Sequence, residues 1–171
     1  MPAFAVALLL RILAAPAQPV GTPALLHEMF RASERVTYVE LSAQEVTAAT
    51  GQPHGKVFVY VAYTHGAVDG FAVIDDEKGL HEPITLGVQV DPQGRIARVA
   101  VLAYREAYGG EVRDPRFLKQ FNGKTLASAL TPGVDVDAIS GATISSRSVA
   151  TLARRALVLC ALAQKRLGGG T

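Results

Sequence analysis

Apolar residues are spaced at helical intervals near both ends of the chain and at strand-like intervals through its middle. Between Pro23 and Ser33, Leu25, Leu26, Met29 and Phe30 fall on one helical face. Ser42-Ala43-Gln44-Glu45 reads as a capping box and Gly51 as a helix stop, so a short helix with Val46 and Ala49 inward is expected. From Lys56 the pattern changes. Lys56 to Tyr63 is rich in β-branched and aromatic residues and is followed by a His65-Gly66 turn. A second strand is predicted over Val68 to Ile74, closed by a charged turn at Asp75-Asp76-Glu77-Lys78-Gly79. A third runs from Pro83 to Val90, and after the Asp91-Pro92-Gln93-Gly94 turn a fourth runs from Arg95 to Tyr104. Links this short favour antiparallel hairpins, because parallel neighbours need crossovers of a dozen residues or more. The expectation is a meander with helices over one face.

Asp114-Pro115 suits an N-cap and first helical residue, with Phe117, Leu118 and Phe121 on the inner face of a short helix. Beyond Ser145 or Ser146, the residues Val149, Leu152, Ala153, Ala156, Leu157, Cys160 and Leu162 recur at helical spacing. Arg147, Arg154, Arg155, Lys165 and Arg166 are assigned to its polar side. The fold class is therefore α+β: an antiparallel sheet meander packed with short helices and a C-terminal amphipathic helix.

Composition narrows the functions available. A chain of 171 residues supports one domain with a real core. Its net charge of +2 argues against a nucleic-acid partner or a polybasic membrane anchor. The single cysteine, Cys160, precludes an intramolecular disulfide and Cys-based metal motifs, and its apolar neighbours mark it as a small buried hydrophobe. His27 and His54 stand alone and read as solvated. Residues 1–17 read as a signal peptide: Ala3 to Leu10 is apolar and Ala15-Pro16-Ala17 offers a small-x-small cleavage pattern, although Arg11 interrupts the run. This stretch is too short to span a bilayer, which takes about 20 apolar residues.

The chemistry concentrates at Asp137-Ala138-Ile139-Ser140-Gly141-Ala142-Thr143-Ile144-Ser145-Ser146, which leads into the C-terminal helix. A small, hydroxyl-rich turn before a helix suits phosphate, since unpaired N–H groups and the positive end of the helix dipole face the ligand. A turn with a helix cap would use the same Ser, Thr and Gly residues, but it does not account for Asp137 or for Ala142 between Gly141 and Thr143. By average residue usage, Asp-x-x-[Ser/Thr]-Gly-Ala-Thr arises by chance in roughly a few of every 10,000 chains this long.

This motif resembles the flavinylation sequence of the FMN-binding domain family. That family includes the flavin-carrying subunits of the sodium-pumping NADH:quinone oxidoreductase and of Rnf complexes. The resemblance covers roughly Val57 to Leu157 and is sharpest from Ala138 to Ser146. It implies that a flavin transferase couples FMN to Thr143 through a phosphoester bond, with Ser140, Gly141 and Ala142 small enough to enter the modifying active site. By the same resemblance Asp137 is the acidic recognition residue, or it accepts N–H bonds in the turn. Ser145 and Ser146 bind the flavin phosphate or cap the helix. Glu106 with Tyr108, Gly109 and Gly110 resembles the family's Glu and Gly-containing turn near the flavin, without its widespread Glu-Thr-Pro-Gly form. A plain hairpin loop with a solvated Glu106 is the other reading.

What the resemblance implies is an electron carrier, or a subunit of an oxidoreductase complex, more than a stand-alone enzyme. Its redox partners would be membrane or extracytoplasmic proteins, and its place periplasmic or otherwise extracytoplasmic. The competing reading is an exported binding module of the same fold without covalent flavin. The implied division is a signal peptide at 1–17, an N-terminal helical segment at 18–55, the FMN-binding domain at 56–167 and a flexible tail at 168–171. A nucleophile elbow, clustered zinc ligands, a P-loop and a dinucleotide fingerprint are all absent from the sequence.

Overall fold

A computed structural model describes residues 22–168. The expected signal peptide and the end of the tail lie outside the described residues. Five strands form one sheet in chain order: β1 (Arg35–Leu41), β2 (Val57–Thr64), β3 (Ala67–Lys78), β4 (Pro83–Val90) and β5 (Ile96–Tyr104). Every neighbouring pair is antiparallel, as the short links require. The β2–β3 hairpin turns on His65 and Gly66, both with positive φ (51° and 78°). Two such residues match the right-handed twist of the flanking strands. Asp91 shapes the β4–β5 turn by accepting N–H bonds from Gln93 and Arg95 on one carboxylate oxygen.

Alternation sorts each strand onto two faces. One face carries Val57, Val59, Val61, Phe71, Val73, Ile84, Leu86, Val88 and Val90, all buried against helix α4 (Thr143–Gly168). Leu152, Ala153, Ala156, Leu157, Leu159 and Cys160 of α4 fill that layer, and burial pushes the Cys160 thiol pKa up. The opposite face carries Tyr60, Ala62 and Ala72, which meet Leu26, Met29 and Phe30 at and just beyond the end of helix α1 (Thr22–Met29). Helices thus lie on both faces of the sheet, where the sequence suggested one. Among the described residues no helix is long and apolar enough to cross a membrane.

The local signals hold closely. In helix α2 (Ala43–Thr50) Ser42 and Glu45 form the capping box, Gly51 closes the helix with φ 71°, and Val46 is fully buried, whereas Ala49, expected inward, is exposed. Helix α3 (Pro115–Lys119) is capped by Asp114 and buries Phe117, with Phe121 just beyond.

Five expectations are corrected. Strand β1 lies within the segment read as helical and pairs along its length with β2. The charged turn at 75–79 is strand as far as Lys78, because Asp75 and Glu77 continue the α4-facing stripe of Phe71 and Val73. Arg155 is buried on that face rather than on the polar side of its helix. It donates to Asp75 Oδ2 (3.0 Å) and the Asp76 carbonyl (3.1 Å), and it also pairs with Glu77. His54 joins the same cluster, its Nε2 3.1 Å from Asp75 Oδ2. Gly168, expected in the tail, closes α4.

Candidate functional site

The motif forms the entrance to α4. Gly141 turns the chain with φ 79°, the Ala142 N–H donates to the Ile139 carbonyl (3.0 Å), and the Ala142 carbonyl accepts the first intrahelical bond from Ser146 N–H (2.9 Å). Ala142 is buried, 2% exposed, which explains a small apolar residue between the Gly and the Thr. Thr143 is the first helical residue and is exposed. The N–H groups of Thr143, Ile144 and Ser145 precede the first helical hydrogen bond, so they have no carbonyl partner within the helix. An anionic ester on the Thr143 side chain would lie where those groups and the helix dipole favour negative charge.

A second wall comes from the chain leaving β5. The Tyr104 hydroxyl donates to the Tyr108 carbonyl (2.5 Å) and lies 2.9 Å from Ser145 Oγ, so Ser145 supplies the proton to Tyr104. The Arg113 guanidinium sits over the Tyr104 ring, 5.5 Å from its centre. Gly109, with φ 83°, passes behind this pair. A Cβ there would stand 2.7 Å from both Ser145 Oγ and Tyr104 Oη, so the close approach and the backbone angle both demand glycine.

Glu106 builds the third wall. Its carboxylate accepts from the backbone N–H groups of His81 (2.7 Å) and Glu82 (3.1 Å), across the turn that joins β3 to β4. The His81 N–H, helped by those of Glu82 and Leu80 and by the nearby His81 charge, holds the Glu106 pKa below the usual carboxylate range, against an opposing desolvation effect second only to the His81 bond. A Cβ on Gly79 would lie 2.4 Å from Glu106 Oε1, so this turn too needs glycine. Glu106 is therefore a clamp on a neighbouring turn rather than a solvated hairpin residue.

These walls enclose a cleft of about 350 Å³ lined by Leu80, His81, Glu106, Ala107, Tyr108 and residues 141–145. Tyr108 is 84% exposed, and with Leu80 and Ile144 it gives the cleft an apolar and aromatic rim. Of the residues singled out in the sequence, Glu106, Tyr108, Gly141, Ala142, Thr143 and Ser145 line this cleft. Gly109 supports it from behind, and Ser140 is exposed in the turn just before it. Asp137 stands apart: its side chain is exposed and its N–H donates to the Gln120 side-chain carbonyl (2.7 Å). Ser146 is fully buried, and its hydroxyl has no hydrogen-bond partner among the described residues. Neither serine is the helix N-cap, because the helix begins before both.

Sequence reasoning missed Leu80, His81 and Tyr104. The Gly79 turn was visible, but its contact with Glu106 spans 25 residues and had no local signal. No group of three or more His, Cys, Asp or Glu among the described residues is placed to hold a metal ion.

Residues 79–158 match the family model of the FMN-binding domain. The fold is similar to the crystal structure of Shewanella oneidensis NqrC, with a TM-score of 0.60 and 19% identity over 84% of this chain and 88% of that one. No curated protein sequence matches the chain.

Proposed function

We propose that the chain, whose residues 79–158 match the family model of the FMN-binding domain, is an extracytoplasmic electron carrier of that family holding FMN as a phosphoester on Thr143. One observation carries this reading: Thr143 is exposed at the first position of α4, beside unpaired helix N–H groups, in a cleft with an aromatic rim. Formation of the ester joins the Thr143 oxygen to phosphorus with net loss of water, and a flavin transferase supplies the catalysis. When bound, the flavin supplies one- and two-electron redox chemistry. The chain contributes the rest. The α4 N-terminus neutralises part of the phosphate charge. Tyr108, Leu80 and Ile144 offer surface for the ring. Glu106 and the Ser145–Tyr104 pair hold the walls around it. An open cleft leaves the ring edge reachable by membrane or extracytoplasmic redox proteins.

The test is co-expression with a flavin transferase, followed by intact mass and in-gel fluorescence under denaturing conditions. Wild type should be fluorescent and heavier by FMN minus water, and Thr143→Ala should be dark and unmodified. A wild-type chain that stays dark would sink the covalent reading and favour a flavin-free binding module.

A further inference from the structure

A second cleft, of about 470 Å³, lies between α2, the loop at 129–132 and the flank of α4. Its charged side chains are all guanidinium groups, from Arg147, Arg154 and Arg155, and no Asp or Glu lines it among the described residues. Arg155 is neutralised by Asp75 and Glu77. The other two are not. Arg154 donates from one terminal nitrogen to the carbonyls of Ser128 (2.7 Å) and Ala129 (2.6 Å), which fixes the guanidinium and leaves its charge without a carboxylate among the described residues. Arg147 is exposed, and no carboxylate pairs with it among the described residues. The nearest acid along the loop, Asp135, is occupied by Lys124 Nζ (3.0 Å) and the Thr131 N–H (2.9 Å).

The loop is held in a demanding shape. Leu130 is buried with φ 48°, a left-handed conformation that costs a branched residue about 1–3 kcal/mol and persists only where its surroundings fix it. Two cations seven residues apart on a helix stand about 10 Å apart along its axis. The cleft's volume falls in the range of small-molecule sites, roughly 300–1,000 Å³. Arg forks suit carboxylate and phosphate groups in particular.

We propose that this cleft binds a small organic anion bearing carboxylate or phosphate groups, with Arg147 and Arg154 as its two anchors. The site is separate from the Thr143 cleft, and the inference does not depend on the flavin.

The test is a titration of the isotope-labelled full chain, with and without flavin loading, followed by amide resonances. Inorganic phosphate and citrate are the probes, with sodium chloride at matched ionic strength as the control. Thermal shift alone is a poor readout, because such anions stabilise many proteins by exclusion from their surface. Saturable shifts confined to residues 129–132 and 147–154 are expected with at least one probe. Binding should be at least tenfold weaker in Arg147→Gln, a substitution at an exposed position, and weaker in Arg154→Lys, which keeps the charge and loses the fork. Shifts that follow ionic strength without saturating, or that are equal in wild type and Arg147→Gln, would overturn the proposal. A response to a polyglutamate peptide with none to phosphate or citrate would overturn it in favour of a protein-docking surface.

Discussion

At the scale of single residues, the candidate site depends on contacts that tolerate no added atoms. Gly109 is the sharpest case, since its Cβ would need the space of Ser145 Oγ and Tyr104 Oη, and φ is 83°. Gly109→Ala should cost about 1–3 kcal/mol, as expected for a residue forced into the left-handed region. Flavin incorporation should fall with it, because Ser145 and Tyr104 must move. A melt and in-gel fluorescence on the same preparation read both effects, and a normal melting temperature would refute the packing argument. Asp135 makes a different residue-scale prediction. The Thr131 N–H, and then Lys124, pull its pKa down to about 2 from 3.8. A carboxylate with a depressed folded pKa stabilises the fold above its unfolded value and loses that contribution as pH falls through the folded one. Wild type should therefore lose stability between about pH 4 and pH 2. Asp135→Asn, less stable at neutral pH, should lose less over that window. Parallel acid-unfolding curves for the two proteins would refute this.

At the scale of elements, Arg155 ties α4 to β3 through Asp75 and Glu77. Removing one partner of a buried ion pair leaves the other charge uncompensated. Arg155→Ala should therefore lower stability by about 3–5 kcal/mol in chemical denaturation. A loss under about 1 kcal/mol would mean that water already screens the cluster. The same cluster shows where the sequence was legible. Capping at Ser42 and Asp114, the β4 strand from Pro83 to Val90, and the apolar residues of α4 are local signals within a few residues, and the structure places them as read. Asp75 and Glu77 resembled turn residues because the cation that admits them to a buried strand face lies some 80 residues away. Strand β1 was missed for a related reason: it is an edge strand with one neighbour, and most of its positions are exposed. In the candidate site the motif around Thr143 was legible. Its walls were not, because Glu106 reaches the turn after β3 and Tyr104 reaches Ser145 only in the folded chain.

At the scale of the whole molecule, the sheet separates two layers with different duties. The α4 layer carries Thr143 and both clefts, whereas the α1 layer holds a smaller cluster around Phe30, Tyr60 and Ala72. If the sheet is a rigid partition, damage to the α1 layer should reduce stability and leave flavin chemistry intact. Phe30, 5% exposed, is the probe. Phe30→Ala should cost about 3 kcal/mol, the low end for a buried phenylalanine, since its cluster is small and near the surface. For a chain of this length that lowers the melting temperature by roughly 6–12 °C. Well below that temperature the variant should be flavinylated as fully as wild type and show the same flavin absorption spectrum. Equal stability with altered flavin loading would mean that the α1 layer acts on the site directly, through the sheet. Loss of both together, at temperatures where the variant is folded, would show that the two layers do not behave as independent units.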